Sequence, residues 1–281
     1  AIEASSIGLH QGRLSGMHFD MALFTNFTRD HLDYHGDMAA YEEAKAMLFD
    51  WPGLQHAVIN LDDAMGVRLV QRLQGKQAQT GITGYTLSDK KIDGIAVLRA
   101  TDIRSNQSGT VFQLESAAGN TQVKTQLVGQ FNVSNVLGII GILLAKGVAL
   151  PDAVNAIEAL TAVPGRMQQL GGGEAPLVVI DYAHTPDALE KTLATLRSVA
   201  NDRGGELWCV FGCGGDRDPG KRPQMGKVAM AADHIVVTTD NPRNEEPASI
   251  IGDIVAGITA PKNAPQIIED RASAILWAGR H

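Results

Sequence analysis

Cysteine, positive charge and long apolar runs are all in short supply in this chain. Two of its 281 residues are cysteine, Cys209 and Cys213. Two are too few for a disulfide framework and lack metal-ligand spacing, so a reducing cytosol is expected. Lys and Arg together number 24 against 31 Asp and Glu, a formal net charge of −7. That balance argues against a nucleic-acid or anionic-membrane partner, either of which would want a basic face, but leaves room for a local phosphate patch. The longest apolar stretch, Val136 to Ala145, is about half the roughly 20 residues that a membrane span requires. The start does not read as a signal peptide, because no basic region precedes an apolar one and Glu3 interrupts it.

The length suits two domains, each able to bury a core. Apolar strands alternate with helical patterns, which predicts an α/β fold with a mainly parallel sheet. Met21 to Thr25 and His56 to Asn60 read as strands, with helical periodicity from Met38 to Phe49 between them. Residues 80–127, rich in Thr, Ser and Gln, are expected to form a smaller antiparallel section. Helices are predicted over Asn132 to Lys146 and Pro151 to Leu160. The pattern breaks at Val163-Pro164-Gly165-Arg166, which places the boundary between domains 1–163 and 164–281. Beyond it, Leu177–Asp181, Leu207–Phe211 and His234–Thr238 read as strands of a second doubly wound domain. Ala1 to Ser6 reads as a strand entered midway and Ala274 to His281 as an interrupted helix, so both ends are expected to be cuts in a longer enzyme.

The titratable groups gather after strands. Asp240-Asn241-Pro242-Arg243 follows the last strand, where open α/β sheets place ligands. Arg243 can hold a carboxylate in its fork, Asp240 an ammonium, and Asn241 can both donate and accept, which together suit a zwitterion. An ordinary Asn-Pro surface turn explains the same residues. His31 and His35 have the spacing of a helical zinc pair, so a hydrolase must be weighed, yet the glutamate of such helices is missing and Gly36 interrupts. Lys45, four residues after Tyr41, is either a solvated helical ion pair or a half-buried amine. Burial would depress its pKa and leave it open to carbamylation by carbon dioxide. Gly215 to Arg222 nearly matches the phosphate-cradling loop. Arg222 stands where the Mg²⁺-binding hydroxyl belongs, and Asp216 and Asp218 would repel phosphate, which leaves Arg217 as a substrate-carboxylate candidate. Asp181 and Asn132 open two further loops and serve equally well as ribose or base contacts or as helix caps.

In this order, Glu3-Ala-Ser-Ser, Asp30-His31-Leu-Asp-Tyr-His35, Tyr41-x-x-x-Lys45, Phe131-Asn132-x-x-Asn135, Pro164-Gly-Arg166, Asp181-Tyr-Ala-His184-Thr-Pro and Asp240-Asn-Pro-Arg243 resemble the Mur ligases. These are ATP-dependent amide-forming enzymes of bacterial peptidoglycan synthesis, and the likeness spans essentially the whole chain. It is strongest to the branch that adds meso-diaminopimelate to UDP-N-acetylmuramoyl-L-alanyl-D-glutamate, the UDP-muramoyl-dipeptide. The resemblance implies part of a central ATP-binding domain followed by a Rossmann-like domain, in a monomeric, cytoplasmic bacterial enzyme. It implies a carbamate on Lys45, with Glu3, His31 and Lys45 at Mg²⁺ and Lys45 and His31 in catalysis. Ser5, Gln11 and Arg13 match positions for the UDP-muramoyl-peptide. Asn132, Asn135, Arg166, Asp181 and His184 match positions around ATP. Arg217, Asp240, Asn241 and Arg243 match positions around diaminopimelate. In the implied reaction ATP activates the dipeptide carboxylate as an acyl phosphate, which the incoming amine attacks.

The family's Gly-rich ATP loop and its Gly-Lys-Gly-His-Glu motif do not occur in these residues, so the chain alone is expected to be inactive. Rival readings are an L-lysine-adding relative, folylpolyglutamate synthase, a zinc hydrolase, and a non-catalytic fragment that keeps the fold. Arg243 separates the first, because lysine has no distal carboxylate for it to pair with.

Overall fold

The computed structural model describes residues 1–75, 80–106, 109–173 and 175–281. They divide into two units, Ala1–Thr161 and Ala162–His281. In the first, β1 (Met21–Phe24), β2 (His56–Asn60), β3 (Gly81–Thr86), β4 (Ala96–Asn106), β5 (Gly109–Glu115) and β6 (Thr121–Thr125) lie side by side in chain order. The first four run parallel, with Leu23 beside Val58 and Val58 beside Thr83. β5 and β6 then reverse direction.

Helices cover both faces of this sheet, as a parallel sheet requires. On β2, Ala57 and Ile59 face one way, into a cluster with Leu69, Val70 and Leu73 of α4 (Ala64–Gln74). Val58 faces the other way, among Val133, Val136, Leu137 and Ile140 of α5 (Gln130–Ala145). Each of these α5 side chains is fully buried, a stabilisation of about 1.5–3 kcal/mol apiece. Gly138 and Gly141 let α5 approach closely: a Cβ there would meet Leu23 at 2.9 Å and Val58 at 2.7 Å. The helix α6 (Leu150–Glu158) packs beside α5 and β6.

Two expectations for this unit are corrected. Residues 80–127 are antiparallel only from β4 through β6, because β3 and the start of β4 extend the parallel sheet. The buried Tyr85 hydroxyl, donating to the Phe24 carbonyl at 3.0 Å, ties β3 across β2 to β1. Nor is there a strand at the opening. Residues 1–5 are irregular, and the Ser5 hydroxyl accepts from the Gly8 N–H at 3.1 Å, capping α1 (Ser6–His10). That capping bond favours helix over extended backbone.

In the second unit β9 (Trp208–Phe211), β10 (His234–Val237) and β11 (Gln266–Ile267) form a parallel sheet with β10 in the middle. One face packs against α7 (Pro186–Asp202), α8 (Lys221–Ala229) and α9 (Pro247–Ala256) through Leu193, Met225, Ile235, Val237 and Ile254. On the other, Trp208 stacks on His234 at 4.0 Å and meets Trp277 of α10 (Arg271–Ala278) edge-on. A Cβ on Gly257 would lie 1.9 Å from the Pro223 carbonyl, so α8 and α9 touch backbone to backbone there.

The expected strand Leu177–Asp181 forms as β8 (Leu177–Ile180), but outside this sheet. It pairs antiparallel with β7 (Gln168–Gly171) across the Gly171–Gly173 segment. Its alternate residues Val178 and Ile180 stay exposed, so the apolar run lacks the two-sided burial of a central parallel strand. The two-residue β11 is too short to carry a periodic signal. Among the described residues no helix is long and apolar enough to cross a membrane.

Candidate active site

The segment after β1 folds back on α3 (Met38–Ala46), which carries Lys45. Asp37 caps α3 by accepting from the Ala40 N–H at 2.8 Å, and α2 (Leu32–His35) precedes it. The hub of the region is Tyr41, 5% exposed and one helical turn before Lys45. The Lys45 Nζ lies 5.3 Å from its ring centroid. The ring of His31 meets Tyr41 edge-on at 5.8 Å, and His35 stacks on it at 5.2 Å. Burial drives the Lys45 pKa down, against the upward pull of Glu3, Asp30 and Asp63. Burial and then the Asp30 charge push the Tyr41 hydroxyl up to about 12.

A half-buried amine therefore lies within the electrostatic reach of three carboxylates that come from three separate stretches of chain. Asp63 is also a cap: it accepts from Met65 N–H at 2.8 Å and Phe27 N–H at 2.6 Å. In sequence Asp63 carries no signal beyond that of a helix cap, and Asp30 none beyond its place in the motif. The solvated ion-pair alternative for Lys45 fails, since Glu42 and Glu43 turn to Arg68 and Arg72 instead.

The helical zinc pair does not form. His31 lies outside α2, in the left-handed region at φ 54°, with its N–H on Asp30 Oδ1 at 2.9 Å. His35 Nε2 bonds the Ser6 hydroxyl at 3.0 Å, and burial, then His10 and His31, hold its pKa below the ordinary value. Among the described residues no three His, Cys, Asp or Glu side chains are grouped to hold a metal ion. Nearby, Ser5 and Arg13 converge on Gly8, where a Cβ would be 3.0 Å from Ser5 Oγ and 3.6 Å from an Arg13 Nη. Gln11 ends α1 with its N–H on the Ile7 carbonyl, its side chain exposed.

Asn132 and Asn135 occupy the first turns of α5, whose N-cap is Gly129 at φ 99°. The Asn132 amide donates to the Val128 carbonyl at 2.9 Å, while Asn135 is exposed. In the second unit Asp181 accepts from the N–H groups of Met167 and Ala183, each at 2.9 Å. It is not the helix cap, a role that Thr185 takes. By holding Met167 it fixes the neighbouring Arg166, whose guanidinium sits 4.7 Å over the ring of Tyr182. His184 meets the same ring edge-on at 5.3 Å. Tyr182, 62% exposed, is the organising residue of this cluster, and in sequence its signal is masked by the polar members of the motif around it.

At the carboxyl ends of β9 and β10 two loops are laced together. Arg243 Nη1 donates to the Gly215 carbonyl at 2.6 Å, and the Gly215 N–H donates to the Asn241 carbonyl at 2.9 Å. Asn241 Oδ1 in turn accepts from the Arg243 N–H at 3.2 Å, so the segment is an Asx turn as well as a loop of polar groups. One edge of the Arg243 fork is thus anchored to backbone. Asp240 lies 4.0 Å from Arg271, and Arg217 is exposed in the facing loop. The near-match to a phosphate loop is structural instead: Arg222 is buried and spans Glu245 and Asp253.

Strand-end loops over parallel sheets, with a burial-tuned lysine and cationic clusters, define an α/β protein built to bind ligands. Residues 1–143 match the Mur ligase middle domain, and residues 165–280 the Mur ligase glutamate ligase domain. The chain belongs to the Mur ligase family. Over its full length it is 96% identical to the UDP-N-acetylmuramoyl-L-alanyl-D-glutamate–2,6-diaminopimelate ligase of Janthinobacterium sp. (strain Marseille), covering 55% of that protein. It is 54% identical to the protein of the same name from Ralstonia nicotianae, again covering 55% of it. The chain therefore spans about half the length of the curated relatives it matches. A solved structure of a ligase of that name aligns over 98% of the chain and 55% of its own, at 42% identity and a TM-score of 0.64. The Mycobacterium tuberculosis folylpolyglutamate synthase, at 24% identity and a TM-score of 0.72, shares the fold, with 92% of this chain and 56% of its own aligned.

Proposed function

We propose that this chain is part of an ATP-dependent ligase that joins meso-diaminopimelate to UDP-N-acetylmuramoyl-L-alanyl-D-glutamate, and that these residues alone do not complete its active site. The observation that carries the reading is Lys45, a half-buried amine 5.3 Å from the Tyr41 ring centroid, its pKa lowered by burial against the pull of Glu3, Asp30 and Asp63. A neutral amine adds to carbon dioxide, with loss of a proton, to give a carbamate. That product would be an anion within the electrostatic reach of Glu3, Asp30 and Asp63, a surplus of negative charge that a hard, oxygen-preferring cation compensates. Glu3, His31 and the Lys45 carbamate would hold Mg²⁺, which supplies charge stabilisation for phosphoryl transfer when bound.

The remaining residues bind and orient. Asn132 and Asn135 on α5, and Arg166 with Asp181 and His184 around Tyr182, are assigned to ATP. Ser5, Gln11 and Arg13 are assigned to the UDP-substrate. Arg217, Asp240, Asn241 and Arg243 are assigned to diaminopimelate, with Arg243 recognising the distal carboxylate that lysine lacks. Such alignment, which places the amine against the activated carboxyl group, supplies a large share of catalysis. The reading is tested by growing a polypeptide of the relatives' full length with ¹³C-bicarbonate and recording its carbon spectrum. A carbamate resonance that disappears in Lys45→Arg, together with loss of amide formation, is expected. A fully active enzyme without that resonance would sink the assignment of Lys45.

A further inference from the structure

Behind the Asp240–Arg243 loop lies a buried charge that the proposed reaction does not use. Arg222, on α8, has a side chain only 3% exposed. Its Nη1 bonds Asp253 on α9 at 2.9 Å and its Nη2 bonds Glu245 at 2.7 Å, while its Nε is buried with no hydrogen-bond partner. A charge this deeply buried is held in one place by its two carboxylate partners.

Glu245 shows what is positioned. The same Oε1 that meets Arg222 accepts from the Asp216 N–H at 2.6 Å. Asp216 Oδ2 then accepts from Asn244, at 2.7 Å from the side-chain nitrogen and 3.3 Å from the backbone N–H. Asp216 and Arg243 both occupy the left-handed region, at φ 49° and 50°. Non-glycine residues stay there only where their surroundings over-determine the backbone. Contact is also tight: a Cβ on Gly215 would lie 1.9 Å from the Pro242 carbonyl. The rigid α8–α9 pair thus grips one loop through Glu245, and that loop meets the facing one through Asp216, Asn244 and Gly215.

We propose that the Arg222–Glu245 pair is a positioning element that sets the conformation of Arg243 and so the amine-substrate preference of the site. The inference rests on the assignment of Asp240–Arg243 to diaminopimelate. Arg222 and Glu245 act through the loop and touch no substrate.

The experiment uses a polypeptide of the relatives' full length and three variants, Glu245→Ala, Glu245→Gln and Asp253→Asn. Asp253 shares Arg222 but not the loop. Glu245→Ala is expected to raise KM for diaminopimelate about 10-fold, through misplacement of the binding groups, and to leave KM for ATP and the UDP-dipeptide unchanged. Glu245→Gln keeps the acceptor and should restore most of the loss, and Asp253→Asn should behave as wild type. Amide hydrogen exchange of peptides over 212–217 and 241–245 should quicken in Glu245→Ala alone. Unchanged loop exchange in Glu245→Ala, or an equal rise in all three KM values, overturns the proposal. A wild-type protein that forms no amide with diaminopimelate overturns the substrate assignment instead, and the exchange comparison then decides the positioning role by itself.

Discussion

Charges partly or fully withdrawn from solvent are handled in opposite ways by the two units. In the second, Asp233 has a side chain 7% exposed and collects Arg197 at 2.7 Å, Lys262 at 2.7 Å and the Leu207 N–H at 2.7 Å. These partners, Arg197 foremost, hold its carboxyl far below the usual carboxylate range. The charge is kept because it is fully paired. In the first unit Lys45 is pushed the other way, toward its neutral form, because burial outweighs the carboxylates around it. A satisfied buried charge staples a fold, whereas one driven off its ordinary ionisation is held ready for chemistry.

The sharpest way to break this contrast is to remove each charge. Lys45→Met in the full-length polypeptide should lower amide formation about 1,000-fold, the scale of losing a main electrostatic stabiliser. Thermal stability should hold or rise, as expected where a site sacrifices stability for function. Steady-state rates and a melting curve check both, and a stability loss matching the activity loss would make Lys45 structural. Asp233→Ala should do the reverse, costing about 2–4 kcal/mol by leaving Arg197 without its carboxylate, with the part-exposure of Lys262 limiting the loss. Denaturant unfolding of the 281-residue chain reads it.

Arg243→Ala should cut the preference for diaminopimelate over lysine by about 2–5 kcal/mol, since only diaminopimelate presents the second carboxylate. Competition between the two amines measures this, and an unchanged ratio removes Arg243 from the specificity site. The smallest effect is in pH. The folded pKa of Lys45 lies below its ordinary 10.5, so between the two values the unfolded chain binds more protons and stability climbs with pH. The penalty is complete below the folded pKa, and the melting-temperature gap between Lys45→Met and wild type should narrow as pH rises through that window. Asp233 has the opposite sense: its contribution is complete above the ordinary 3.8 and fades as pH falls toward the depressed folded value. Asp233→Ala should therefore lose most relative to wild type near neutrality and less in strong acid.

What could be read in sequence was local. His56–Asn60 stands in the structure as expected because an apolar run between turn signals is a local pattern, as is the helix beginning at Met38. The Asp240–Arg243 loop was visible as polar groups after a strand. Pairing was not: β8 has the composition of a buried strand, yet it finds β7 across a glycine turn instead of β9. The electrostatic surroundings of Lys45 were equally hidden, since the pull of Glu3, Asp30 and Asp63 on it arises only through the fold and Asp63 looks like an ordinary helix cap. Arg222 drew notice as a flaw in a phosphate loop, when its role is to join α8 to Glu245. Motifs marked the residues that would touch ligands, and long-range contacts supplied those that hold them in place.

Amide formation by the whole enzyme is the central expectation. Purified full-length polypeptide given ATP, Mg²⁺, UDP-N-acetylmuramoyl-L-alanyl-D-glutamate and an equimolar mixture of meso-diaminopimelate and L-lysine can be followed by mass spectrometry. The expected result is one ADP for each amide formed, with diaminopimelate in nearly all of the product. ADP release without amide, or product divided evenly between the two amines, would contradict it.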